Sequence, residues 1–158
     1  MNGAQVYRIA DEPQPSAWTR IAVHPLWPLF AFMFAGPWLS WTWFLANGVA
    51  VGSPTRVKER LLVVAGLLGC VAIIFIMGLL ISSGVVPAAF KWTAPLVLTL
   101  WKLGVSYWLF ELQRRSFELY RYFGGPLRSG IFIVFAGYLL RPAVRSAIGS
   151  GLATLLLL

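Results

Sequence analysis

The chain has 158 residues, of which 59% are hydrophobic and 11% charged. A soluble domain carries about 25% charged residues, so composition places this chain in the membrane class. The net charge of +8 does not point to nucleic acid, because the basic residues flank or interrupt apolar runs rather than forming a patch; that distribution fits the positive-inside bias and contact with anionic lipid headgroups.

One cysteine, Cys70, rules out an intrachain disulfide. One histidine and one cysteine also exclude a zinc site or bis-histidine haem built within a single chain. No cofactor is expected.

Residues 1–24 read as a polar tail containing Asp11-Glu12-Pro13-Gln14-Pro15. A short interfacial helix is expected over residues 16–23, with Trp18 at headgroup level and Arg20 toward phosphates. The tail is too polar and the apolar run behind it too long for a secretory signal peptide. A first span is expected over 26–51, kinked where Pro37 removes a backbone hydrogen bond. Its aromatic residues, Trp38, Trp41 and Trp43 among them, read as packing and interfacial anchors rather than a ligand cage.

Gly52-Ser53-Pro54-Thr55 is a turn, and a second span follows over 61–82. Within it Ala65 and Gly69, Gly66 and Cys70, and Gly78 and Ser82 are each four apart, a spacing that lets helix backbones approach closely. A third span is expected over 92–113, continuing as a charged helical extension over 114–125. There Glu111 with Arg115 and Arg114 with Glu118 stand four apart, a spacing worth about 0.2–0.5 kcal/mol per pair on an isolated helix.

Residues 129–158 allow two readings: one tilted fourth span, or a pair of half-helices broken or re-entrant at Arg141-Pro142. Gly149 and Ala153, four apart, favour a packed helix beyond the proline. The expected fold is therefore all-α and polytopic, a single membrane domain of about four transmembrane helices. Lys and Arg are denser in loops 52–60 and 114–128, which the positive-inside bias places in the cytoplasm, with the amino terminus outside. The expected membrane is a bacterial inner membrane.

Lys102 is the least expected residue. It lies near the centre of its span, about 15 Å from either interface. A lysine side chain cannot reach water over that distance. None of the five acids, Asp11, Glu12, Glu59, Glu111 and Glu118, falls mid-span; Glu59 reads as lying at the membrane edge.

Thr99, Lys102, Ser106 and Gln113 share one helical stripe, which should face protein or water rather than lipid. Arg141 and Arg145 would add cations at depth. Such a stripe suits a water-filled lumen, a lipid phosphate, a permeating anion or a carboxylate from a partner subunit; the plainer reading is a lysine held by backbone carbonyls or Asn47. Ser106 beside Lys102 is a weak echo of a lysine-activated serine, with no oxyanion motif to support it.

Two functions follow. The first is a non-enzymatic subunit that self-assembles into a channel, pore or membrane effector lined by the stripe. The second is an accessory or scaffold subunit of a larger membrane complex. An intramembrane enzyme has the least support. The expected partners are the lipid bilayer, anionic lipid included, and other membrane subunits.

Overall fold

A computed structural model describes residues 17–87 and 92–148. A 3-10 turn, Ala17–Ile21, precedes five α-helices: α1 (Leu26–Phe34), α2 (Pro37–Val51), α3 (Arg56–Ser82), α4 (Thr93–Tyr122) and α5 (Ile131–Ile148). Among the described residues there is no strand, only an isolated bridge between Val23 and Arg128. The all-α expectation holds.

The segment 26–51 is not the single kinked span expected from the sequence. Gly36 adopts φ 103° and ψ 177°, a conformation closed to residues with a Cβ. Pro37 then starts α2, where its missing N–H costs nothing. Together they reverse the chain. Val23, ahead of α1, donates its N–H to Asn47 near the end of α2 at 3.0 Å. Gly130 of the chain leading into α5 lies against both Trp27 and Trp43, and Gly137 lies against both Ala35 and Leu39. These pairings make α1 and α2 an antiparallel hairpin with both ends on one side.

At 1.5 Å per residue, the nine residues of α1 reach about 14 Å and the fifteen of α2 about 22 Å.

The helices α3 and α4 are about 40 and 45 Å long and pack antiparallel, Glu59 lying level with Gln113 and Gly66 with Val105. Helix α4 runs unbroken from Thr93 to Tyr122, joining the expected span and its charged extension into one element. Gly124, at φ 75°, ends it. Among the described helices, α3 alone is long and apolar enough to cross a membrane by length and composition, and only 11% of its most apolar 18-residue window is buried.

Helix α5 passes through Pro142 without interruption as far as Ile148. The break considered at Arg141-Pro142 therefore does not form; Pro142 sits on an exposed face. Gly149 and Ala153 lie outside the described residues.

One end of the molecule, here called the basal end, gathers the segment before α1, the turn before α3, the last turns of α4 and the lead into α5. Ala22, Ala50, Val51, Phe117 and Tyr120 pack there as one buried cluster. Arg128 donates its N–H to the Ala22 carbonyl at 3.1 Å. Residues 17–24 thus lie with residues 52–60 and 114–128, not across the molecule from them as the expected topology had it. The cause is the hairpin: two short helices return the chain to the side it came from.

A second cluster, with Trp41, Phe44, Val63, Cys70, Leu98, Val105 and Leu109, ties α2 between α3 and α4. The small residues of α3 divide accordingly. Gly66 lies against Trp41 and Val105, Gly69 against Trp101, and Cys70 is fully buried. Ala65, Gly78 and Ser82 are exposed, and nothing approaches Gly78.

Candidate functional site

The most developed polar cluster lies just inside the basal end, where α2, α3 and α4 meet. Glu59 is 1% exposed although it sits in the first turn of a helix rich in cations. Its donors are neutral. The Ser53 and Thr55 hydroxyls reach Oε1 at 2.7 and 2.8 Å. Gln113 Nε2 reaches Oε2 at 2.8 Å. A buried carboxylate is tolerated when several donors converge on it, as here.

Gln113 uses its whole amide. Its Nε2 also donates to the Phe44 carbonyl at 2.5 Å, and its Oε1 accepts from Asn47 Nδ2 at 3.2 Å. Asn47 in turn accepts the Val23 N–H through Oδ1. Ser116 Oγ lies 3.3 Å from Ser53 Oγ, whose own hydrogen is directed to Glu59. One connected network therefore fastens the mouth of the hairpin to α3 and α4. A Cβ at Gly48 would overlap Glu59 Oε2, so glycine there is what lets the carboxylate approach α2.

Lys102 lies about 16 Å further along, level with Cys70, eleven residues beyond Glu59 on α3. It is fully buried within the chain. Cys70 and Lys102 are close enough to interact electrostatically. Ser106, also fully buried, accepts a hydrogen bond from Trp41 Nε1 at 2.9 Å. That bond gives Ser106 a packing partner on α2. Asn47, weighed as a partner for Lys102, instead serves Gln113 more than two helical turns away.

Lys102, Ser106 and Gln113 do share a face, and that face is buried against α2 and α3. Thr99 is exposed and returns its hydroxyl to the Pro95 carbonyl at 2.8 Å. Arg145 is exposed and Arg141 half-buried on α5. Helix α5 packs on α1 rather than on the stripe, and its cations do not join the Gln113 network.

Sequence reasoning missed Glu59, Ser53, Thr55, Ser116 and Gly48 as one site. The only local signal was an acid among Arg56, Lys58 and Arg60. Its decisive partner, Gln113, is 54 residues away.

At the edge of the site His24 stacks edge-on against Phe117, ring centroids 4.7 Å apart. Its Nδ1 accepts the Leu26 N–H at 3.1 Å. Partial burial, then the charges of Arg121 and Arg114, push the His24 pKa below 6.5, with Glu118 opposing.

Searches against family models, curated proteins and solved structures found no match to this chain.

Proposed function

We propose that the chain is a non-catalytic integral membrane subunit that assembles with other membrane proteins. In this reading α3 crosses the bilayer with α4 packed antiparallel along it, and the α1–α2 hairpin enters from the basal end and returns to it. The carrying observation is α3: a 27-residue helix, apolar enough to span, whose most apolar window is only 11% buried. A soluble protein would bury such a helix, whereas a membrane subunit presents it to lipid or to a partner helix.

The length of the hairpin agrees. A reach of about 14 Å for α1 is less than half the roughly 30 Å hydrocarbon core. Arg20, Arg56, Lys58, Arg60, Arg114, Arg115, Arg121 and Arg128 all belong to segments gathered at the basal end, which the positive-inside bias assigns to the cytoplasm.

Burial of Lys102, Ser106 and Gln113 inside one chain speaks against a pore between copies lined by that stripe and favours the accessory reading. Exposed Leu68 and Phe75, with open Gly78, supply the docking face on α3.

Photocrosslinking residues at Leu68 and Phe75, in native membranes, test the assignment. The expected result is one discrete adduct per site whose second chain is the same membrane protein in both. Adducts only with a second copy, together with ion flux through liposomes holding the purified chain alone, would restore the self-assembled pore and remove the accessory role.

A further inference from the structure

Beside the Glu59 network, and sharing Thr55 and Ser116 with it, a groove runs between the first turns of α3 and the second half of α4. Its basal part, about 500 Å³, is lined by Thr55, Lys58, Glu111, Arg115 and Ser116, with Trp108 among its walls. That volume lies within the range of small-molecule sites. A second hollow, about 480 Å³, shares Lys58, Trp108 and Leu112 and adds Leu61, Leu62 and Ala65. The two form one continuous groove, polar at the basal end and apolar toward the middle of the helices.

Charge in the groove is unbalanced in a specific way. The sequence spacing pairs Glu111 with Arg115, but the structure pairs Glu111 with Arg114 at 3.7 Å, and Arg114 with Glu118 at 3.0 Å. Arg114 draws both acids to itself. Among the described residues, neither Arg115 nor Lys58 takes part in an ion pair. Two cations therefore line the polar half together with the hydroxyl of Thr55, above an apolar gutter.

We propose that this groove holds an anionic phospholipid: the phosphodiester against Lys58 and Arg115, the headgroup hydroxyls toward Thr55 and Ser116, and an acyl chain along Leu61, Leu62, Ala65 and Trp108. The proposal rests on the membrane reading above, which puts the groove's polar half at headgroup depth. The charge selects an anionic headgroup over a zwitterionic one, and the apolar gutter selects a lipid over a soluble phosphate ester.

The test is native mass spectrometry of the full chain in an uncharged detergent, titrated with phosphatidylglycerol, with phosphatidylcholine of the same chains, and with glycerol 3-phosphate as competitor. Phosphatidylglycerol should bind at least about tenfold more tightly than phosphatidylcholine, and glycerol 3-phosphate should not displace it. The double variant Lys58→Gln/Arg115→Gln should lose that preference. Ala65→Phe, which fills the gutter without altering charge, should weaken both lipids.

Arg60→Gln, an exposed cation outside the groove, serves as the control and should bind as the parent does. Equal binding of the two lipids, full displacement by glycerol 3-phosphate, or unchanged binding by the double variant would each overturn the proposal. Helical content of each variant, measured by circular dichroism, separates a lost site from a lost fold. Release of the chain from membranes by alkaline carbonate would instead overturn the membrane reading itself, independently of the lipid data.

Discussion

Glu59 shows what a single carboxylate can organise when its partners come from three helices. Removing a buried charge from water is costly, and only converging donors offset it. Here two hydroxyls and one amide do so, and the amide also grips the backbone of α2. Gly48→Ala tests that arrangement. Alanine is the better helix former by about 0.5–1 kcal/mol. Its methyl would nevertheless force the carboxylate off its donors, which costs about 1–3 kcal/mol for a buried polar group left short of partners. Thermal unfolding in detergent should therefore show a lower midpoint for Gly48→Ala; an unchanged or higher midpoint would mean that Glu59 can move aside at no cost. The burial of Glu59 was not legible in the sequence. Its position after Arg56 and Lys58 reads as the membrane edge, and nothing local announces Gln113, 54 residues on. By contrast the shared face of Lys102, Ser106 and Gln113 was legible, because helical spacing fixes it. Which neighbour that face meets depends on how the chain is threaded, and spacing along one helix carries no information about that.

At the scale of elements, the same contrast separates what helical periodicity reveals from what one backbone angle decides. The apolar runs and their polar ends marked α3 and α4 to within a few residues, with α4 ending at Tyr122 just before Gly124. Gly36-Pro37 was visible as a disruption, but a kink and a reversal share the same two residues. The φ of 103° at Gly36 turns the disruption into a hairpin, and packing of Trp27 and Trp43 beside Gly130 stabilises the result. Pro142 taught the opposite lesson: a proline that looked like a break is carried inside a continuous helix. The mouth of the hairpin carries a pH dependence of its own. His24 has its pKa below the 6.5 of an unburied imidazole, chiefly through burial, and its neutral Nδ1 accepts the Leu26 N–H. The unfolded chain then binds the proton more readily than the folded one, so stability is fully present above pH 6.5 and is lost as pH falls below it toward the folded-state pKa. Unfolding midpoints measured from pH 7.5 down to 5 should decline for the parent. His24→Asn, which keeps an acceptor and cannot titrate, should flatten the decline, and an identical slope in both proteins would assign the pH response to another group.

For the whole molecule, the hairpin decides which segments face the same way. Single-cysteine labelling in membrane vesicles reads this directly, since Cys70 is buried. Cysteine at Arg20 and at Arg56 should react from the same side, and cysteine at Ser83, at the far end of α3, from the other. Reaction of the Arg20 position together with Ser83, and opposite to Arg56, would return the segment 26–51 to a single crossing. The hairpin also sets an order of events during synthesis. Asn47 leaves the ribosome 66 residues ahead of Gln113, the side chain that receives its amide. At 5–20 residues per second the interval is about 3–13 s. Through that interval α1 and α2 exist without the helix that satisfies their polar groups, and α3 is complete before α4 begins. The hairpin is made before the helix that completes its polar network, so the Asn47–Gln113 bond can form only once α4 is made.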